Sequence, residues 1–162
     1  MTEEGRRGVT RGYVVALIAA SCIVAVALLV ASWGMIALLT SSEPVRTESV
    51  PPSVGPLTVL LALVLLGGSM WRQALTLLRG QWAPAWGQIV VAGFGGYLVW
   101  SVGGMLAGMT PGETWLSPYA LALGLSWALA NLAYWAVLAR RVYTDRPPPR
   151  WPWERAEDGK ES

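Results

Sequence analysis

An all-α polytopic membrane fold, four transmembrane helices in a bundle with both termini cytoplasmic, is what this sequence predicts. Three observations carry that reading. Of 162 residues, 54% are apolar and 14% are charged, against about 25% charged in an ordinary soluble domain. Charge is missing from three long runs, residues 12–42, 80–112 and 114–139. A chain in water needs charge spread over its surface, whereas these runs fit a chain whose solvent is lipid. Once four spans are drawn, all the Lys and Arg residues except Arg46 fall on one side. The positive-inside rule makes that side the cytoplasm, and the plasma membrane is the expected location.

A span needs about 20 mainly apolar residues to cross a hydrocarbon layer of about 30 Å. The first runs over about residues 13–39, uncharged throughout and long enough to tilt. Arg6 and Arg7 precede it as they would precede a signal peptide, but the apolar run is too long and no small-residue cleavage site ends it. The second span covers 54–78, with Arg72 reaching the interface along its own alkyl stem. The third covers 86–109 and the fourth 117–138. None alternates polar and apolar residues as a barrel strand would. Residues 1–143 therefore form one membrane domain, and residues 144–162 form a cytoplasmic tail.

The basic residues are topology signals first and can also meet anionic headgroups; a nucleic-acid partner is not expected. Tryptophans support the same frame. Trp71, Trp82 and Trp86 cluster where spans two and three meet the cytoplasm, Trp135 lies near the inner end of span four, and Trp33 and Trp115 mark the outer ends. That is an aromatic belt. Trp100 and Trp127 fall nearer mid-bilayer, where packing or lipid contact is the expectation.

Span three contains the run VAGFGGYLVWSVGGMLAGM, residues 91–109, with six glycines. A dinucleotide fingerprint would need glycine at the sixth position from Gly93, where Leu98 stands, and a phosphate loop would need a lysine that is absent. Helical spacing explains the run better. Ala92, Gly96, Gly104 and Gly108 recur at multiples of four, interrupted by Trp100. Small residues on one face let a neighbouring backbone come close, so these four are the expected packing face of span three, toward another span, a second copy or another protein.

Catalytic chemistry is hard to find. There is no histidine and one cysteine, Cys22, so Ser/His/Asp and Cys/His sets are impossible. The acidic residues all lie outside the spans, and the membrane carboxylate expected of a small multidrug exporter is missing. No cofactor, metal site or enzyme activity is expected. Gln88 and Asn131 are the polar residues of interest. Asn131 shares a face with Trp127, Tyr134 and Trp135. An interhelical hydrogen bond is the plain expectation, and a small polar pocket opening to the cytoplasm, lined by Gln88 and Asn131, is the sharper one.

The outer loop over 40–56 is rich in Ser, Pro and Glu and is expected to be flexible and solvated. In the tail, Pro147, Pro148 and Pro149 cannot continue a helix. Arg150, Trp151, Trp153 and Arg155 follow, suited to the inner leaflet or to a partner that reads an extended peptide. Four spans ending in a PRWPWER tail, residues 149–155, resemble the layout of small uncharacterised four-span membrane proteins of actinobacteria. That resemblance implies no activity. The expected function is non-catalytic: an accessory, scaffold or assembly partner of another membrane protein. The alternative is a small channel or transporter for a small solute, working as a homo-oligomer.

Overall fold

The computed structural model of the chain describes residues 11–78 and 86–144. Four helices, α1 (Arg11–Thr40), α2 (Val54–Leu78), α3 (Trp86–Leu106) and α4 (Pro118–Thr144), make up the regular structure. All four are long and apolar enough to cross a membrane, and no strand occurs among the described residues. Two boundaries differ from the sequence reading by more than two residues. α4 runs on past 138 to Thr144, because a helix leaving lipid keeps its backbone bonds in water and charge does not stop it. α3 ends at Leu106 rather than 109.

The helix ends follow from their residues. Ser117 accepts the Tyr119 N–H at 3.3 Å, with Pro118 in the first helical position; a serine cap followed by proline leaves no useful donor unpaired. At the end of α3, Gly108 is left-handed, with φ of 92°. Its N–H donates to the Met105 carbonyl at 3.0 Å, and the Met109 N–H donates to the Gly104 carbonyl at 2.9 Å. This is the glycine-terminated C-cap that satisfies the last carbonyls of a helix. Gly108 is therefore corrected: it closes α3 and does not belong to its packing face, since a Cβ there would meet nothing within 4 Å.

α3 lies against both α2 and α4, α1 lies against the same two, and α2 and α4 touch across the diagonal. α1 and α3 reach each other through the rings of Trp33 and Trp100, edge to face at 5.1 Å. The predicted stripe on α3 is an inward one. Ala92, Gly96, Trp100 and Gly104 are all buried, so the tryptophan that breaks the small-residue series continues the buried one. The space above each glycine is taken from within the chain. A Cβ at Gly96 would stand 3.2 Å from Cδ1 of Trp127, and one at Gly104 would stand 2.7 Å from Met109 Sδ and Thr114 Cγ2.

The closest helix crossing uses two other glycines. A Cβ on Gly93 would lie 3.0 Å from the Gly124 carbonyl oxygen, and one on Gly124 would lie 2.9 Å from the Gly93 carbonyl oxygen. Here backbone meets backbone between α3 and α4, as small residues permit in membrane helices. On the other flank of α3, a Cβ on Gly95 or Gly103 would meet Leu65 or Thr58 of α2 at 2.9 Å.

The bundle axis is filled. Trp100, Trp127, Leu66, Met70 and Leu123 are fully buried. The Trp127 indole donates to the Ala62 carbonyl at 2.8 Å, so this fully buried ring also satisfies its one donor. The outside of the bundle is apolar instead. Ile23, Leu38 and Leu39 of α1 are more than 70% exposed, a surface suited to lipid. Trp71, Trp86 and Trp115 face outward in the manner of a belt, while Trp33 turns inward and donates to the Tyr119 carbonyl at 3.0 Å.

Candidate functional site

The two ends of the bundle differ in kind. One carries the start of α1, the end of α4 and the α2–α3 connection; the other carries the loops 41–53 and 107–117. Polar side chains are organised at both.

At the first end, Asn131 of α4 is fully buried. Its amide donates to Ser69 Oγ of α2 at 3.1 Å and to the backbone carbonyl of Gln88 in α3 at 3.1 Å. One side chain thus ties three helices together. The structure brings Asn131 and Gln88 into contact, but through the main chain of Gln88, whose side chain is half-buried. What forms is the interhelical bond rather than a pocket lined by two amides. Replacing Asn131 with Leu is expected to cost about 1 kcal/mol, at ~0.6 kcal/mol for an average interhelical bond in lipid, read from unfolding in mixed detergent.

Sequence reasoning places Gln73 near the cytoplasmic end of span two and gives it no role. It sits one turn beyond Ser69 on α2, fully buried, and neither atom of its amide has a partner. The Asn131 carbonyl oxygen and the Tyr134 hydroxyl are likewise unpartnered. An unpaired buried amide costs about 1–3 kcal/mol. Gln73→Leu, similar in bulk and apolar, is therefore expected to raise stability by about 1 kcal/mol in the same assay; a loss would mean that the amide is hydrogen-bonded in the membrane.

At the other end, a carboxylate joins the two loops. Glu113 is 3% exposed. Its Oε1 accepts the Arg46 N–H at 2.6 Å, and its Oε2 accepts the Thr47 hydroxyl at 2.6 Å. Oε2 also takes the Thr110 N–H at 3.0 Å and the Thr110 hydroxyl at 2.9 Å. The Arg46 guanidinium lies near, with Nε 3.9 Å from Oε1. Burial pushes this carboxyl up, but the hydrogen bonds from Thr47, Thr110 and Arg46 outweigh burial and bring it down to about 2.

Around this clasp, Tyr119 Oη donates to the Ser42 carbonyl at 2.5 Å, the Trp100 indole donates to the Glu113 carbonyl at 3.1 Å, and Tyr97 Oη donates to the Trp115 carbonyl at 2.8 Å. The expectation of a flexible, solvated loop over 40–56 agrees with the exposure of Glu43, Arg46, Glu48 and Ser49 and is corrected where the loop is anchored. Arg46 and Thr47 are bonded to Glu113, and Val50 is buried. A loop loses its freedom when a buried acceptor takes its donors.

The clasped loop roofs a cavity of about 760 Å³ between α1 and α2. Val26, Leu29 and Val30 of α1, Val59 of α2 and Trp100 of α3 line its apolar part together with Val50 of the loop, and its rim carries Glu43, Arg46 and Glu48. A second, wholly apolar groove of about 400 Å³ lies on the lipid side of the Gly93–Gly124 crossing, beside Phe94 and Tyr97. Neither is lined by Gln88 or Asn131. The tail residues Arg150, Trp151, Trp153 and Arg155 lie outside the described residues. So do Arg6, Arg7, Arg79 and Trp82.

No curated protein matches this chain, and no solved structure does. A family of unknown function, DUF6121, matches residues 7–161. With four membrane-crossing helices and a match over almost its whole length, the chain is an integral membrane protein that belongs to this family of unknown function.

Proposed function

We propose that the protein is a non-catalytic accessory or assembly partner of another membrane protein, acting by binding at its clasped end. The filled interior carries the reading. Trp100, Trp127, Leu66, Met70 and Leu123 occupy the bundle axis with almost no exposure, which leaves little room for a solute path through one copy. Meanwhile the clasp fixes 41–53 against 107–117, and a preorganised surface binds without first losing loop entropy.

The charge asymmetry favours a plasma membrane orientation with the termini in the cytoplasm and the clasp outside. Cysteine labelling in a Cys22→Ala background tests it, with Ser53→Cys reacting from outside and Ser162→Cys only after permeabilisation. The binding reading is tested by photocrosslinking in living cells from the exposed positions Ser49 and Gly112. The expected result is one protein adduct of defined mass at both positions; lipid adducts alone would overturn it. The unpartnered Gln73 amide favours a second reading, a small channel or transporter built from several copies, for which solute flux in liposomes is the direct assay.

A further inference from the structure

The cavity under the clasp changes character along its length. Along α1 the cavity is lined from Val26 to Trp33, which is about 10 Å at 1.5 Å per residue. Its apolar part therefore spans much of one leaflet of hydrocarbon, ~15 Å. Above it the rim is charged. Arg46 is 60% exposed and meets Glu113 through Nε alone at 3.9 Å. Glu43 and Glu48 are both exposed, and no ion pair joins either to a cation among the described residues. At about 760 Å³, the cavity falls in the range of small-ligand sites.

An occupant must therefore be apolar along about 10 Å and must end in a polar group. The rim selects among such groups. Two carboxylates flank one guanidinium, and the guanidinium already leans on a third carboxylate, so the rim is acidic overall. It repels a purely anionic headgroup and suits one that carries both a phosphate and a cation. A primary ammonium can donate several charge-assisted hydrogen bonds to carboxylates, whereas a quaternary ammonium donates none. We propose that the α1–α2 cavity is a binding site for a phospholipid with a phosphoethanolamine headgroup, its acyl chain between Val26, Val30 and Val59, its phosphate at Arg46 and its ammonium at Glu43 and Glu48. This site stands independently of the accessory reading, since a bound lipid can serve a scaffold or a transporter alike.

The test is lipid retention by the full chain. The protein is purified in mild detergent with equal amounts of phosphatidylethanolamine, phosphatidylcholine and phosphatidylglycerol of matched acyl chains, and bound lipid is counted by native mass spectrometry. About tenfold preference for phosphatidylethanolamine is expected, corresponding to ~1.4 kcal/mol. The double variant Glu43→Gln/Glu48→Gln should reduce it to the level of phosphatidylcholine, and Arg46→Ala should weaken both of these lipids. Val59→Trp, which fills the cavity, should release the lipid, while Leu60→Trp on the exposed face of α2 should retain it and report on folding. Equal retention of all three lipids, unchanged by Val59→Trp, would mean annular lipid only and would overturn the proposal. So would a protein segment crosslinked into the cavity with no lipid retained.

Discussion

Replacing Glu113 with Ala is expected to cost about 3 kcal/mol and to release the loop 41–53. The substitution removes a buried carboxylate that accepts donors from Arg46, Thr47 and Thr110, and each donor left dry costs about 1–3 kcal/mol. Glu113→Gln keeps the shape but offers an amide to donors that need an acceptor, so it should lose about half as much. The pH dependence has a definite sign. The carboxyl falls from 4.5 to about 2 on folding, so the folded state holds the ionised form more tightly than the unfolded chain does. Its contribution is complete above pH 4.5 and is lost as pH falls from 4.5 toward 2. Unfolding in mixed detergent across pH 2–7 checks it: the wild type should weaken below pH 4.5, and Glu113→Ala should lose that part of its pH response.

Gly124→Ala is expected to destabilise by about 1–3 kcal/mol, although alanine is the better helix former. Two effects compete. Alanine gains up to ~1 kcal/mol in helix propensity. Against that, its Cβ would stand 2.9 Å from the Gly93 carbonyl oxygen and 3.3 Å from Tyr97 Cβ. A backbone atom cannot rotate aside as a flexible side chain can, so α3 and α4 must separate, and overpacking of this kind costs about 1–3 kcal/mol. The matched control is Gly68→Ala in α2, where a Cβ meets nothing within 4 Å. That variant should be neutral or slightly stabilising. Equal effects at the two sites would mean that the α3–α4 crossing does not depend on glycine.

Some of this was legible before any coordinates. The four spans follow from charge-free runs that nothing but lipid tolerates. The inward stripe of α3 follows from Ala92, Gly96 and Gly104 at helical spacing. Gly108 continues the same spacing and yet does something else, because a small residue at the end of a helix serves equally well as its left-handed cap. The clasp was not legible. Glu113 and its partners Arg46 and Thr47 lie 67 and 66 residues apart, and a lone acidic residue in a short turn reads as solvated until topology places two loops together. Gln73 reads from sequence only as a polar residue near the cytoplasmic end of its span, but a helix has two sides: Arg72 is exposed where Gln73 is buried. Gly124 carried no signal at all, because a single glycine in a span reveals nothing until its neighbour across the crossing is known.

The proposed binding role of the clasped end has a direct test. The most direct measurement captures the tagged protein from native membranes in mild detergent, wild type beside Glu113→Ala, with captured proteins identified and their stoichiometry counted. The expected result is a membrane protein at a fixed ratio with the wild type, lost from the variant while circular dichroism shows its four helices intact. Capture of the chain alone or as a homo-oligomer, unaffected by opening the clasp, would contradict it.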